Sequence, residues 1–113
     1  MNKVTTKKQP AKSRTRNTPA GTIDGTVVSV NGSGDLVTDI ANECLADIPH
    51  DESVTVKFGP HETICILPSD HGEPDATMVA SLGETGFLQI EIVGISLSDM
   101  LGIQPGVAVS VTW

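Results

Sequence analysis

Residues 26–40 have the sequence TVVSVNGSGDLVTDI, in which two apolar runs rich in β-branched residues flank a turn-forming segment. The runs, 26–30 and 36–40, are built largely from Val, Thr and Ile, which favour extended strands. The segment NGSGD between them holds residues that adopt positive φ angles or hydrogen-bond their own backbone. This stretch therefore predicts two strands joined by a hairpin turn.

The same alternation of short apolar runs and turns continues to the end of the chain. Within 62–67, the alternation predicts Ile64 and Ile66 on one face, and the apolar run predicts a core position for Cys65. The other strands are predicted at 53–58, 77–82, 87–93 and 107–112, and a helical turn is predicted within 41–47.

One short helix is predicted near the C-terminus. Ser96 and Asp99 form an S-x-x-D pattern that satisfies free backbone donors at a helix start. The helix should end at Gly102, where a left-handed cap is favourable. Together these elements predict a mainly all-β domain over residues 21–113, a small antiparallel β-barrel of about seven short strands.

Length and composition limit the class of protein. The 113 residues suffice for one small domain, with three aromatic residues and an otherwise aliphatic core. No run approaches the roughly 18 consecutive apolar residues of a membrane-spanning helix, so an integral membrane protein is excluded and no membrane partner is expected for the folded domain. The two cysteines cannot form a dense disulfide scaffold and are expected to be reduced, in a cytoplasmic protein.

Charge divides the chain in two. Six of its seven basic residues lie within residues 1–16, and no acidic residue precedes Asp24. Beyond residue 20, fourteen carboxylates against Lys57 leave a net charge of −13. Residues 1–20 lack apolar periodicity and are predicted to be a disordered basic tail. The tail is either an arm that binds the phosphates of nucleic acid or membrane, or a segment without a partner. In the second case it keeps the protein soluble or lies over its own acidic domain.

Several polar motifs are candidate sites. His71 and Glu73 form an H-x-E pattern without the cysteines that complete a zinc site, which favours a solvated acidic loop. Histidines beside carboxylates on a strand point to opposite faces, so no metal site is predicted. Asn31 and Asp35 are the best pair for a ligand-facing polar cluster, although turn geometry alone explains them equally well.

Residues 27–40, 86–90 and 98–111 carry patterns that occur together in one enzyme family. They resemble, in order, the segments VV-x-I-D-x-F-G-N-L-x-T-N-I, S-G-Y-L-E-I and A-x-x-L-G-x-x-x-G-D-x-V-x-V. These segments belong to the C-terminal domain of the S-adenosyl-L-methionine hydroxide adenosyltransferases, relatives of the fluorinating and chlorinating enzymes. The order and spacing of the segments match over residues 21–113.

In that family a large N-terminal domain carries the catalytic residues, and the C-terminal barrel completes a nucleoside and methionine pocket at a trimer interface. The resemblance implies a barrel without that catalytic domain. It places ligand-facing positions at Asn31, Asp35 and Glu84, where the family has Asp, Asn and Ser. Thr85 and Phe87, in the same segment as Glu84, complete the ligand-binding candidates.

The expected function is that of a non-catalytic, stand-alone β-barrel without a cofactor. It would self-associate, as a trimer by resemblance, or bind a small nucleoside-like ligand or a partner chain such as a separate catalytic-domain protein. The alternative is a nucleic-acid-binding regulator that uses the basic tail, although a domain of −13 repels phosphate. An enzyme would need an activated nucleophile, and neither Cys44 nor Cys65 has the sequence context for one.

Overall fold

The computed structural model describes residues 21–113, which form a nearly closed barrel of seven antiparallel strands with one α-helix. The strand order is β4-β3-β7-β1-β2-β6-β5, and all strand pairs are antiparallel. The predicted fold class is confirmed. The strands are β1 (Thr22–Val30), β2 (Leu36–Ala41), β3 (Thr55–Phe58), β4 (His61–Ile64), β5 (Met78–Leu82), β6 (Phe87–Ile92) and β7 (Ala108–Thr112).

The barrel interior is filled by alternate residues of the strands, as the period-two pattern predicts. In β3, Val56 and Phe58 are fully buried, and Val54 just before the strand is buried as well. Leu88 and Ile90 of β6 have no exposed surface. Burying such a side chain stabilises the fold by about 1.5–3 kcal/mol. The core is therefore aliphatic, with Phe58 as its one fully buried aromatic ring among the described residues.

The predicted strand 62–67 is wrong in its second half. β4 ends at Ile64, because Cys65 has a left-handed φ of 71° that turns the chain. Ile64 is consequently 52% exposed whereas Ile66 is 2% exposed, so the two do not share a face. Cys65 itself is half-buried and is not among the core residues.

The barrel closes between its two edge strands through a single residue. Leu67 donates its amide hydrogen to the carbonyl of Ala80 at 2.9 Å, and its own carbonyl accepts from the amide of Leu82 at 2.9 Å. These bonds form an isolated bridge between Leu67 and Ser81, in place of a β4–β5 ladder. The segment that follows β4 therefore lies beside the free edge of β5 at Leu67.

Short helical elements lie close to the predicted positions. A 3₁₀ turn occupies Asn42–Leu45, and α1 spans Leu97–Leu101. The amide of Asp99 donates to Ser96 Oγ at 3.2 Å, and Gly102 has a left-handed φ of 70°. The predicted helix start and stop are thus confirmed.

Among the described residues, no helix has the length and apolar character needed to cross a bilayer. The disordered basic tail was predicted for residues 1–20, which lie outside the described residues.

Candidate functional site

The turn between β1 and β2 is organised by Asn31. Its Oδ1 accepts from the backbone amides of Ser33 and Asp35, both at 3.0 Å, and its own amide donates to the Asp35 carbonyl at 3.0 Å. An Asn side chain that bonds the amide two residues ahead forms an Asx turn. Asn31 therefore holds the turn geometry, which is the structural role its sequence context allowed.

Gly34 fixes this turn against the helix. It has a φ of +83°, and a Cβ placed there would lie 2.5 Å from the Cβ of Ser96. Its carbonyl accepts from the amide of Ser98 at 3.0 Å. Only glycine fits this conformation and this close approach, so the turn and the start of α1 form one rigid support.

Asp35 joins the turn to β6. Its Oδ2 accepts from Asn31 Nδ2 and from Gln89 Nε2, both at 3.2 Å. Since the Gln89 amino group is engaged in this way, the Gln89 carbonyl oxygen is left to accept from elsewhere. Asp35 thus orients a neighbouring side chain as well as carrying its own charge.

A polar cleft lies on the outer face of the β5–β6 hairpin. We call it the β5–β6 cleft; its volume is about 330 Å³. Ser81 is opposite Gln89 in the strand register, so both side chains lie on this outer face. The cleft is lined by Asn31, Ser69, Ser81, Gly83, Glu84, Thr85, Gln89 and Glu91.

Ser81 is the most buried polar residue of the cleft, with 3% of its surface exposed. Leu67 lies beside Ser81 at the edge of β5, where the two residues form a β-bridge. Ser81 therefore combines burial of most of its surface with a place in the lining of the cleft.

The turn that carries Glu84 and Thr85 is held from behind by Asn42. Asn42 Nδ2 donates to the Gly83 carbonyl at 2.9 Å, and the Asn42 amide donates to the Gly86 carbonyl at 2.8 Å. The Asn42 Oδ1 is buried and has no hydrogen-bond partner within the described part of the chain. Asn42 was not predicted from the sequence, because it lies some 40 residues from the turn it holds.

The loop that contributes Ser69 to the cleft also carries His71, which contacts the lining residue Glu91. His71 Nε2 lies 3.3 Å from Glu91 Oε2, and its Nδ1 accepts from the amide of Glu73 at 2.9 Å. With Nδ1 an acceptor, Nε2 carries the proton and donates to Glu91. The expectation of a solvated loop is therefore wrong for His71, whose side chain is 9% exposed. Residues 21–113 contain no group of three or more His, Cys, Asp or Glu that could hold a metal ion.

A second cleft of about 440 Å³ adjoins the first. Glu91 lines both clefts, and Asp35 lines the second while bonding to Asn31 and Gln89 of the first. Ile92, Val93 and Ile95 are also among the residues that line this second cleft.

The structure brings most of the predicted site residues together. Asn31, Glu84 and Thr85 line the β5–β6 cleft, and Asp35 supports its wall. Phe87 is 39% exposed and lines neither cleft. Ser81 and Gln89 were not predicted as cleft residues. The sequence offered one indication of them: each is a polar residue within an apolar strand, at positions that pair in the β5–β6 hairpin.

The cleft has an acceptor-rich, negative character. Glu84 and Glu91 are carboxylates, and no lysine or arginine lies among the lining residues. Lys57, the single basic residue after residue 20, is in register with Glu62 on the β3–β4 hairpin and lines a different cavity. The cleft therefore suits a ligand that donates hydrogen bonds and carries no negative charge.

The two thiols lie away from this cleft, and Cys65 is not activated. Burial raises the pKa of the Cys65 thiol, and the nearby carboxylates of Glu52 and Asp51 raise it further. The thiolate is the reactive form, so this shift makes Cys65 a weaker nucleophile. Cys44 is exposed, and both thiols are free.

No family model matches the chain, and no curated protein matches it. Its fold is similar to that of an uncharacterized conserved protein from Thermotoga maritima, with a TM-score of 0.67 and 20% identity over 80% of this chain and 35% of that one. A conserved hypothetical protein from Thermus thermophilus gives a TM-score of 0.58 and 19% identity over 78% of this chain and 32% of that one. The chain thus spans about a third of the length of each, and the likeness shows the fold alone.

Proposed function

We propose that residues 21–113 form a non-catalytic binding module whose β5–β6 cleft takes a small, nucleoside-like ligand. The observation that carries this proposal is the lining of the cleft, a concave site of about 330 Å³ whose polar residues include Ser81, Glu84 and Gln89. A ligand seated in a concave site can bond to several convergent polar groups at once, which fixes its orientation.

The chemistry of the lining supports a nucleoside rather than a nucleotide. The Gln89 carbonyl oxygen and the Glu84 carboxylate are acceptors, which match the hydroxyl donors of a ribose or the amino group of a base. A phosphate would meet Glu84 and Glu91 with no cation beside them among the lining residues. Like charges at close range repel, so the cleft selects against phosphorylated ligands.

The proposal includes a relation to the C-terminal domain of the S-adenosyl-L-methionine hydroxide adenosyltransferases. Its support is that two of the matching segments are neighbours in the barrel. Residues 27–40 lie in the β1–β2 hairpin, and residues 87–90 of the second segment form the first part of β6, which pairs with β2. The cleft lies where these two segments meet, in line with a ligand pocket inherited from that domain.

The proposed module carries out no nucleophilic reaction. We also propose that the protein acts in the cytoplasm. The raised pKa of Cys65 keeps its thiol protonated, and no other nucleophile of the cleft has a base within hydrogen-bond distance among the described contacts. Both cysteines are free, the state that a reducing compartment maintains.

The proposal is tested by calorimetric titration of the full chain with adenosine and with adenosine monophosphate. We expect adenosine to bind at least about tenfold more tightly, because the phosphate faces two carboxylates. Ser81→Ala should weaken adenosine binding about fivefold to tenfold, as for one lost hydrogen bond. Glu84→Gln removes one of the two carboxylates and should reduce the preference for adenosine. Glu62→Gln, on the opposite hairpin, is its matched control and should leave that preference unchanged. Equal binding of the two ligands, or no heat with either, contradicts the proposal.

A second candidate function is assembly with other chains. Phe87 is 39% exposed at the rim of the β5–β6 turn, and Ile64 and Met100 are also large exposed apolar residues. The solved proteins of the same fold are about three times as long as the matched segment, so this barrel occurs within larger polypeptides. Self-association, as a trimer, or pairing with a separate catalytic-domain chain would cover Phe87. Sedimentation that finds only monomer at all concentrations would remove the self-association version.

A further inference from the structure

We propose that two copies of this chain associate face to face through the outer surface of β1, β7 and β3, about a two-fold axis that runs along β7. We call this surface the β1–β7–β3 face. The proposal goes beyond the proposed function, because it uses neither the β5–β6 cleft nor Phe87 and does not depend on ligand binding. Three observations lead to it: the order of charges across the face, the lack of ion pairs there within residues 21–113, and the small side chains at its centre.

The strand register defines the face. Ser110 of β7 is opposite Asp24 of β1 on one side and opposite Lys57 of β3 on the other. Val109 and Val111 are buried in the core, so Ser110 between them points outward, together with the two residues in register with it. Adjacent strands are about 4.8 Å apart, so the carboxylate and the lysine lie at similar distances on either side of β7.

The two charged residues of this row have no ion-pair partner in the described part of the chain. The one ion pair found among residues 21–113 joins His71 to Glu91. Lys57 is therefore paired neither with Asp24 nor with Glu62, its neighbour on β4. Asp24 and Lys57 are both exposed, and Lys57 is the single basic residue beyond residue 20. The face thus presents an ammonium and a carboxylate that can each pair with another chain.

A two-fold axis along β7 brings opposite charges together. Rotation about this axis exchanges the β1 side of the face with the β3 side, so Lys57 of one copy lies over Asp24 of the other, and this pair occurs twice. Ser110 lies on the axis and meets its own copy. An axis across the strands would instead place lysine over lysine and aspartate over aspartate, which repel. The order of charges therefore specifies one arrangement of the two copies.

The centre of the face lets two copies approach closely. The hollow that the two charged residues share has a volume of about 340 Å³. Apart from Val109, the residues that line it between them are small: Gly25, Gly59, Ala108 and Ser110. Packed sheets normally lie about 10 Å apart, and small side chains allow a closer contact. The lysine of one copy can therefore reach the carboxylate of the other.

The contact is small, so the dimer is weak. The outer surface of a barrel curves away on either side of β7, which limits the contact to neighbouring strands. Small interfaces are typical of transient complexes. The net charge of −7 on each chain also opposes association. We expect a dissociation constant on the order of 0.1–1 mM.

The test is sedimentation equilibrium of the full chain up to about 1 mM protein, at about 0.15 M salt to screen long-range repulsion. We expect a monomer–dimer equilibrium that Lys57→Glu weakens at least about tenfold, because both ion pairs become repulsive. Asp24→Lys should weaken it similarly. The exchange Asp24→Lys/Lys57→Glu should restore the dissociation constant to within about threefold of the parent. Glu84→Lys, in the β5–β6 cleft, changes the net charge as much as Asp24→Lys and should not weaken the dimer.

The position of the axis is tested with single-cysteine substitutions and a short bis-maleimide cross-linker. Because the axis follows β7, Ser110→Cys should link to residue 110 of the other copy. Thr55 lies over Thr22 of the other copy in this arrangement, so Thr55→Cys should not link to itself. Mass spectrometry of the linked peptides separates these bonds from any at Cys44 or Cys65, which are free thiols. This measurement also decides the matter if a charge variant fails to fold.

Four results would overturn the proposal: a monomer at every concentration, an oligomer of three chains, a dimer that survives Lys57→Glu, or a folded double exchange that stays monomeric. A dimer that is lost in Phe87→Ala but not in Lys57→Glu would place the contact at the rim of the β5–β6 turn instead. Adenosine binding by a protein that stays monomeric would contradict this inference and leave the proposed function standing. A dimer with these properties that gives no heat with adenosine would do the reverse.

Discussion

The two flanks of the barrel both consist of three antiparallel strands, but they differ in strand register and in the residues on their outer faces. On the first flank, β4-β3-β7, four residue pairs of β3 and β4 align without irregularity, and the outward-facing Lys57 and Glu62 oppose each other. On the second flank, β2-β6-β5, the register is interrupted between Val37 and Ala41. Its outer face carries Ser81 and Gln89, which line the β5–β6 cleft.

The comparison separates residues that make the barrel from residues that give it a site. On the first flank the outward-facing Lys57 and Glu62 oppose each other across the β3–β4 register. On the second flank Asn42 bonds the turn that carries Glu84, and Asp35 bonds Gln89, so residues of the cleft are held in place from outside it. Variants that affect one flank and not the other therefore test this division.

The largest effect is expected from the core of the first flank. Phe58→Ala should lower the free energy of unfolding by about 3–5 kcal/mol, because it removes a fully buried ring. Phe87→Ala, at the rim of the second flank, should cost less than about 1.5 kcal/mol, since that ring is 39% exposed. Urea unfolding of both variants measures the difference. A Phe87→Ala loss as large as that of Phe58→Ala would mean that another chain covers Phe87 in solution.

The next effect is expected at the turn that supports the cleft. Gly34→Ala should destabilise the protein by about 2–3 kcal/mol, because alanine is strained at a φ of +83° and meets Ser96. Gly32→Ala, in the same turn, is the control, since a Cβ there has nothing within 4 Å. The two melting temperatures should differ by several degrees. Equal melting temperatures would show that the turn is not docked on α1.

A smaller effect is expected behind the cleft. Asn42→Ala should lower the free energy of unfolding by about 1–2 kcal/mol, because it frees the Gly83 carbonyl that Asn42 bonds. It should also weaken adenosine binding, since the turn that carries Glu84 loses its anchor. Thr85→Ala changes the same turn without removing an anchor and should stay within about 0.5 kcal/mol of the parent in stability. Loss of stability with unchanged binding would separate Asn42 from the site.

The smallest effect is expected at Asp51, whose carboxylate is engaged in a turn before β3. The side-chain and backbone hydrogen bonds from Ser53 lower the pKa of Asp51 below its ordinary value of 3.8. A lowered folded pKa stabilises the protein above the unfolded pKa, and this contribution is lost as the pH falls through the folded value. Asp51→Asn should therefore reduce stability slightly at about pH 6 and leave it unchanged at about pH 2. A stability difference that persists at the acidic pH would contradict this assignment.

The strands of the barrel were predictable because each has a strict period of two and is bounded by turn residues. β1 was the exception: it begins at Thr22 rather than at 26, since residues 22–26 pair with β7, a partner distant in sequence. The end of β4 was not predictable either, because Cys65 takes its positive φ where its amide bonds the Val54 carbonyl across the loop. Local patterns do not encode such long-range pairings.

The candidate site was predictable in part. Asn31 and Glu84 could be selected by resemblance, and the structure places them on one cleft. Ser81 and Gln89 could not, because their meeting depends on the register of β5 and β6. The role of Asn42 depends on a contact across 41 residues of sequence. Phe87 was predicted as a ligand-binding residue only because it lies in the same segment as Glu84, and it is not among the residues that line the cleft.

The bridge between Leu67 and Ser81, the seam at which the barrel closes, has a consequence for the motion of the barrel. Where two edge strands would share a ladder, only Leu67 links them within the described chain, through its bonds to Ala80 and Leu82. Local opening free energies follow the number of bonds that must break together, so this seam should part well before the barrel unfolds. Deuterium uptake at the amides of Leu67 and Leu82 should accordingly outpace that within the β1–β7 ladder. Each opening of this bridge would expose Ser81 at the edge of β5. Small molecules would then have a second entrance to the cleft.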